Sequence, residues 1–242
     1  LETYAETESK LDSTPVMLDH GYFQIGDGRL STEEVFRDFI DEKIYVNSIE
    51  KEEPMYRWSI DYSKEQMQSA VSQGLPQVAA GCLTFYDKEG NESDAITEFA
   101  GQEAEEILGT IKNIIITERG NSGIAQSMVI YGKKGAVKVD GQMAIRQVLY
   151  PFETEIIKQD DSRVSGWSLL PSAYFYIDKD NEGAYHLHGG GFGHGVGMSQ
   201  NGANDLAGNG YKYEEILMHY FYGAEMKKIN ETGFVTNEEI QR

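Results

Sequence analysis

The first clear pattern along the chain is an amphipathic helix across residues 31–40. Its apolar residues lie three and four positions apart, the spacing that places them on one face of a helix. These residues are Val35, Phe36, Phe39 and Ile40. Ser31 is the predicted N-cap of this helix, and Glu34 is predicted to complete a capping box with it.

A strand, a second helix and an acidic segment follow the first helix. Residues 56–62 alternate in polarity and are rich in aromatic side chains, which predicts a strand. Residues 63–73 return to helical spacing, and Ser63 is the predicted N-cap. Residues 87–106 are acidic and rich in turn-forming residues. We interpret them as a surface insertion with one helical turn at its end.

Beyond residue 110, β-branched residues dominate and the pattern predicts mostly strands. Residues 111–119, 124–132 and 135–141 form strand-like runs separated by glycine-containing turns. A short helix, a β-hairpin and two closing helices are predicted next, at residues 142–149, 173–190, 199–208 and 212–223. One side of the last helix is predicted to carry Tyr213, Ile216, Leu217, Tyr220 and Phe221. This order predicts an α+β fold, a mostly antiparallel sheet with flanking helices.

Charge and composition restrict the partners of this chain. The formal net charge is −19, and most of the acidic excess lies in residues 1–110. No basic patch or stripe is present, which argues against nucleic acids and anionic membrane surfaces as partners. Cys82 is the single cysteine, so no internal disulfide is possible. The sequence contains no apolar run of the roughly 18 residues that a membrane span requires.

Residues 186–203, "HLHGGGFGHGVGMSQNGA", combine three histidines with seven glycines. A zinc site is one interpretation, because His186 and His188 project from the same face of a predicted strand and His194 could fold back as a third ligand. However, no carboxylate or cysteine stands nearby in sequence to complete the ligand shell. We therefore predict no metal in this chain.

Two further sites that use glycine turns fit poorly. The stretch lacks the Lys-Ser/Thr pair of a phosphate-binding P-loop. Ser199 has Gly197 two residues before it, but Asn201 stands where a nucleophile elbow has its second glycine.

A rigid, open surface for a polymeric sugar is the interpretation that we favour. Glycines permit positive φ and let a ligand approach the backbone closely. His194 and Gln200 can each donate and accept hydrogen bonds, which suits sugar hydroxyls and N-acetyl groups. Phe192 can cover an apolar ring face. The alternative is a tight turn whose histidines only satisfy backbone groups.

Residues 193–203 ("GHGVGMSQNGA") and 213–223 ("YEEILMHYFYG") resemble the closing segment of the stage II sporulation protein D (SpoIID)/LytB family. Weaker resemblances lie upstream, in "PMYRWSIDYSKEQM", "ITERGNSG" and "VDGQMAIRQVL". Ile124 stands where the family usually has an arginine. The resemblance covers residues 35–228. It implies a domain of this family at residues 35–230, between an amino-terminal arm at 1–34 and a tail at 231–242.

What the resemblance implies is peptidoglycan chemistry outside the cytoplasm. Family members act on the glycan strands of the cell wall, and some are lytic transglycosylases. They prefer strands stripped of stem peptides by an N-acetylmuramoyl-L-alanine amidase. One carboxyl group suffices for this cleavage: it protonates the leaving oxygen and then deprotonates the C6 hydroxyl that attacks C1.

The sequence departs from the family in its catalytic segment. The stretch around the family's catalytic glutamate, roughly Gly-Glu-Met-Pro, does not occur here, nor does the Ser-x-x-Cys-Gly-x-Thr segment linked to zinc binding in some members. Either the chain is the carboxyl-terminal portion of a longer protein or the acid has been lost. We assign no catalytic residue or cofactor and expect the chain alone to be inactive. Glu118 is predicted to form a strand-end salt bridge, and Glu182 to be solvated in a hairpin turn.

The resemblance assigns glycan contacts only to the matched motif and the histidine just before it. These candidates are His194, Ser199, Gln200, Gly193, Gly195, Gly197 and, more weakly, His188. We interpret His219 as a packing residue and His186 as an ordinary strand residue. Three functions follow: the glycan groove of a lytic transglycosylase in wall remodelling or sporulation, a non-catalytic peptidoglycan-binding or amidase-enhancing module, or a surface that docks an amidase. Attachment to the wall or membrane would use a segment not in this chain.

Overall fold

The computed structural model describes residues 32–42, 49–93, 104–221 and 226, together with two short paired strands, Met17–Leu18 (β1) and Gly21–Tyr22 (β2). The chain divides into two units, Leu1–Val196 and Gly197–Arg242. The first unit contains two five-stranded antiparallel sheets with helices, which confirms the predicted α+β fold.

Ten strands build the two sheets. They are β3 (Trp58–Tyr62), β4 (Leu83–Tyr86), β5 (Glu92–Ser93), β6 (Ile111–Arg119), β7 (Ala125–Gly132), β8 (Ala136–Asp140), β9 (Ile156–Lys158), β10 (Arg163–Val164), β11 (Phe175–Lys179) and β12 (Tyr185–Gly189). The first sheet has the order β10-β9-β3-β12-β11, and the second has the order β5-β4-β8-β7-β6. The predicted strands near residue 60 and beyond residue 110 are therefore confirmed, as is the hairpin of β11 and β12.

Within the described ranges, the first unit contains the helices α1 (Glu33–Ile40), α2 (Lys64–Gly74), α3 (Ala104–Leu108) and α4 (Gln142–Val148). Helix α2 begins at the predicted N-cap Ser63, and the structure adds a capping box in which Ser63 and Gln66 each bond the other's backbone N–H. Two single 3₁₀ turns, Leu75–Gln77 and Ala80–Cys82, lead from α2 to β4.

Helix α1 lies where the hydrophobic spacing predicted it, but its cap differs. Thr32, in extended conformation, is the N-cap, and its hydroxyl accepts a hydrogen bond from Val35 N at 3.4 Å. The prediction of Ser31 as N-cap is wrong, and Glu34 lies one position too early for a capping box. Phe36, Phe39 and Ile40 are buried together with Tyr176, so the predicted apolar face is correct.

One hydrophobic core joins the two sheets and helices α2, α3 and α4. It includes Trp58 and Ile60 of β3, Met67 of α2, Met128 of β7 and Ile145 of α4, all buried. Strand β3 alternates between buried and more exposed positions, so its sheet has one core face and one outer face.

The sequence pattern missed the short strands β1, β2, β4, β5, β9 and β10. They contain two to four residues, too few to display the alternation that identifies a strand. In the predicted acidic insertion, β5 pairs with β4 and α3 forms the predicted helical turn at the end. Residues 94–103 of that segment, and most of the predicted arm and tail, lie outside the described residues.

The sequence predictions for Glu182 and Glu118 have different outcomes. Glu182 is exposed in the turn between β11 and β12, as predicted. Glu118 lies in β6, and no ion pair of this residue occurs in the described part of the chain. Its neighbour Arg119 instead pairs with Glu33 of α1, at 2.6 Å.

The second unit contains α5 (Gln200–Gly208) and α6 (Tyr213–Tyr220), both at predicted positions. Leu206 of α5 and Ile216 of α6 are buried. The predicted apolar side of the last helix is only partly correct, because the Tyr213 side chain is 64% exposed. None of the helices in the described ranges is long and apolar enough to cross a membrane.

Candidate functional site

The candidate site is the glycine loop, residues 190–196, which follows β12 at the end of the first unit. Gly193 and Gly195 have φ values of 123° and 68°, in the region that favours glycine. Phe192 and His194 alternate with these glycines and are both exposed. The loop therefore presents side chains to solvent on a backbone that few other residues could adopt.

Two glycines, Gly189 at the end of β12 and Gly190 at the start of the loop, are required by close packing. A Cβ atom on Gly189 would lie 2.3 Å from the Trp58 ring, and one on Gly190 would lie 2.8 Å from the carbonyl oxygen of Tyr56. Both distances are shorter than any van der Waals contact. These glycines thus let the loop lie directly on the segment that enters β3.

Hydrogen bonds from the Tyr56–Trp58 segment hold one side of the loop. Gly191 N donates to the Tyr56 carbonyl at 3.3 Å, and the Trp58 indole N–H donates to the Gly191 carbonyl at 3.1 Å. The Arg57 guanidinium donates to the carbonyls of Phe39 and Ile40, the last residues of α1. The Tyr-Arg-Trp sequence therefore fixes both the glycine loop and the end of α1.

The segment from Pro171 to Tyr174 holds the other side of the loop. Gly190 N donates to the Tyr174 carbonyl and Gly193 N to the Pro171 carbonyl, both at 2.9 Å. The Ser172 hydroxyl donates to the Gly190 carbonyl at 2.7 Å. Backbone groups of the loop are thus fixed from both sides.

Arg146 of α4 supports this second segment from behind. Its guanidinium is buried and donates to the carbonyls of Leu170 and Pro171 at 2.9 and 3.1 Å. Burial lowers the pKa of Arg146 because the charged form is desolvated. The Pro171 carbonyl accepts from both Arg146 and Gly193, which links α4 to the loop.

The turn that follows β6 packs against the glycine loop. The buried Arg119 guanidinium donates to the Gly123 carbonyl at 2.9 Å, and the Tyr174 hydroxyl donates to the Ser122 carbonyl. This turn ends at Ile124, whose Cδ1 would lie 3.2 Å from a Cβ atom on Gly195. Ile124 is buried and lies next to the loop backbone at Gly195.

His194 carries the polar side chain of the glycine loop, and this side chain is exposed. Val196 N donates to its Nδ1 at 2.9 Å. An acceptor Nδ1 means that the neutral ring carries its proton on Nε2. His194 therefore offers an N–H donor to a ligand while its ring position is fixed by the adjacent backbone.

His188 and His186 lie on the outer face of the first sheet rather than in the loop. The His188 ring stacks on Tyr176, with centroids 5.0 Å apart. His186 Nδ1 lies 2.7 Å from Asp61 Oδ1, and its Nε2 lies 3.5 Å from Asp180 Oδ2. Hydrogen bonding to Asp61 raises the pKa of His186.

The second unit contains the rest of the motif. Ser199 is the N-cap of α5, and its hydroxyl accepts from Gly202 N at 3.2 Å. Gln200 is the exposed first residue of that helix, and Gly197 has a φ of 88°. His219 in α6 contacts the Tyr220 ring, and burial lowers its pKa. Ser199 thus has a structural role, whereas Gln200 is accessible.

The structure does not bring the histidines together as ligands. Over the described ranges, no group of three or more His, Cys, Asp or Glu side chains is arranged to hold a metal ion. Sequence reasoning also missed the support provided by Arg146 and Pro171. The signal for it was weak: Arg146 is the single charged residue in the helical segment 142–149.

Comparison with known proteins shows similarity over parts of this chain. Residues 86–197 match a family described as "Domain of unknown function (DUF8618)". Over 50 residues, 21% of this chain, the sequence is 44% identical to "Stage II sporulation protein D" of Bacillus amyloliquefaciens. Over 72% of this chain, it is 24% identical to "Amidase enhancer" of Bacillus subtilis (strain 168). The matched regions span 14% and 25% of the lengths of these two proteins. The chain is therefore similar to a sporulation protein and to an amidase enhancer.

Proposed function

We propose that this chain is a peptidoglycan-directed domain that binds cell-wall glycan strands stripped of their stem peptides. The observation that carries the proposal is the glycine loop, which is hydrogen-bonded from two sides while His194 stays exposed. Similarity to a sporulation protein and to an amidase enhancer supports the choice of polymer.

The loop suits a glycan because its polar groups are already ordered. A loop fixed by Tyr56 and Pro171 loses little conformational entropy on binding. The His194 Nε2–H can donate to a sugar hydroxyl or N-acetyl oxygen, and the open backbone at Gly193 and Gly195 allows a close approach.

The other candidates have graded roles in this proposal. Gln200 provides an exposed amide, and Gly197 an open backbone position. Ser199 acts mainly by capping α5. His188, stacked on Tyr176, is the weakest candidate.

In the enzymatic form of the proposal, the domain is the substrate groove of a lytic transglycosylase. Cleavage needs one carboxyl group that first protonates the leaving oxygen and then deprotonates the C6 hydroxyl. No residue of this sequence matches the family's catalytic glutamate, so that group would come from outside this chain. The chain alone should then bind strands without cutting them.

The alternative is a non-catalytic module that binds the wall or enhances an amidase. The similarity to the amidase enhancer favours it, because it extends over 72% of this chain. The partner would be an N-acetylmuramoyl-L-alanine amidase, whose product is the peptide-stripped strand. Both forms imply an extracytoplasmic location, at the cell wall or associated with the membrane.

Binding to amidase-treated glycan strands tests the proposal. We expect the 242-residue chain to co-sediment with strands, and His194→Ala and Gln200→Ala to bind about tenfold more weakly, the scale of one lost hydrogen bond. Gln77→Ala, which removes an exposed glutamine elsewhere, is the control and should bind normally.

Stability separates a binding role from a structural one. Both His194 and Gln200 are exposed, so their alanine variants should melt within a few degrees of the original chain. A large drop in melting temperature would instead support the tight-turn interpretation. Mass spectrometry of the strands distinguishes the two forms of the proposal, since anhydro-muramyl products from this chain alone would show that it carries its own acid.

A further inference from the structure

The first unit contains an aromatic cavity that is not lined by any histidine. It has a volume of about 540 Å³ and lies between the segment after α4 and the segment after β10. Its aromatic walls are Tyr150, Phe152 and Trp167. We call it the Trp167 cavity.

The Trp167 cavity adjoins the glycine loop. The Trp167 and Phe192 rings contact each other with centroids 5.2 Å apart and planes at 51°. Phe192 is 70% exposed, although it is among the most apolar side chains of the unit. Since Phe192 lies two residues before His194, the cavity and the loop form a continuous surface.

We infer that the Trp167 cavity binds a segment of β-1,4-linked N-acetylhexosamines, with Trp167 and Phe192 against the sugar rings. This inference rests on the proposed function and names a subsite of the same glycan surface. Tilted aromatic faces suit the apolar C–H faces of pyranose rings. The volume lies within the range of about 300–1,000 Å³ that is typical of small-molecule sites.

The polar rim of the cavity matches the hydroxyl edges of a sugar. Glu153 and Glu155 are exposed carboxylates, and Ser165 and Ser168 are exposed hydroxyls that line the same cavity. Carboxylates accept hydrogen bonds from hydroxyl groups, as required for sugar recognition.

The two tryptophans of the chain provide a direct readout. Trp58 is buried, at 3% exposure, whereas Trp167 is partly exposed and lines the cavity. We expect a saturable change in tryptophan emission when tetra-N-acetylchitotetraose is added. Phe192→Ala keeps both tryptophans and should weaken binding about tenfold, and Trp167→Ala should abolish the emission change. Tyr131→Ala removes an exposed aromatic side chain at a different cavity and should leave binding unchanged.

Parallel measurements with amidase-treated strands separate this inference from the proposed function. In one outcome, the original chain binds the strands, and the Trp167→Ala and Phe192→Ala variants bind the strands and the tetrasaccharide as tightly as the original chain does. The cavity inference is then wrong and the proposed function stands. If the tetrasaccharide changes Trp167 emission but strands do not bind, the cavity inference stands and the wall proposal fails. If the chain binds neither the strands nor the tetrasaccharide, both the cavity inference and the proposed function are wrong.

Discussion

The glycines and histidines of β12 and of the glycine loop occupy different local environments. Gly189 is required by the Trp58 ring, and Gly193 by its positive φ. His194 faces solvent with Nδ1 bonded to the Val196 backbone, whereas His186 is paired with Asp61 on a sheet face. Residue type alone therefore does not define a role, and two predictions follow from these local environments.

Gly189→Ala should destabilise the protein because the new methyl group would lie 2.3 Å from the Trp58 ring. The ring or the strand must shift, and we expect a loss of about 2–4 kcal/mol in the free energy of unfolding. Chemical denaturation measures this loss. Gly81→Ala is the matched control, since its Cβ would meet open space, and it should change stability by less than about 0.5 kcal/mol. Equal stabilities of the two variants would contradict the packing argument.

The Asp61–His186 pair should make stability depend on pH. Hydrogen bonding to Asp61 raises the pKa of His186 in the folded state, so protonation favours folding. The stabilisation is complete below the pKa of the unfolded imidazole, about 6.5, and is lost as the pH rises through the higher folded pKa. Denaturation of the original chain and of His186→Gln, from about pH 5.5 to 8.5, should show a smaller pH dependence for the variant.

Asp61→Asn tests the cause of this shift. Without the carboxylate, the pKa of His186 followed by NMR should fall towards its usual value. An unchanged pKa in this variant would show that Asp61 is not the main cause.

At the scale of elements, α4 and the loop segments around Pro171 hold the candidate site in place. Arg146 bonds two carbonyls of the segment that also receives Gly193 N–H. Helix α1 is similarly attached through Arg57 and through the Arg119–Glu33 pair. Buried arginines thus connect helices to loops that have no regular ladder of their own.

Arg146→Leu should destabilise the first unit and alter the glycine loop. The substitution removes the Arg146 donor from the buried Leu170 carbonyl and leaves the Pro171 carbonyl with Gly193 N alone, and we expect a loss of about 2–4 kcal/mol. Arg163→Leu is the control, because Arg163 forms an exposed pair with Glu155 at 3.2 Å, worth less than about 1 kcal/mol. Thermal melting compares the two variants, and equal melting temperatures would contradict the role of Arg146.

At the scale of the whole molecule, the motif that resembles the SpoIID/LytB family crosses a unit boundary. His194 belongs to the first unit, whereas Ser199 and Gln200 belong to the second. The matched regions cover at most 25% of the two similar proteins, so the activity of a complete protein is a proposal for both forms of the function. The acidic charge remains a property of the whole chain that argues against nucleic acids as partners.

The sequence predicted the elements whose periodicity is long enough to read. Helices α1 and α2, strands β6 and β7 and the β11–β12 hairpin followed from hydrophobic spacing and turn residues. Strands of two to four residues, such as β9 and β10, were missed because they exist only through pairing with β3 or with each other. The N-cap at Thr32 depended on backbone conformation, which the choice between adjacent Ser and Thr does not specify.

The sequence by itself determined the α+β class, the glycine-histidine motif and its family resemblance, because these depend on residue types and local spacing. Only the tertiary structure decided that Gly189 packs on Trp58, that Arg146 supports Pro171, and that Trp167 and Phe192 meet beside a cavity. These contacts join residues far apart in the chain. Their partners are set by how the sheets and helices pack, and no local pattern encodes that packing.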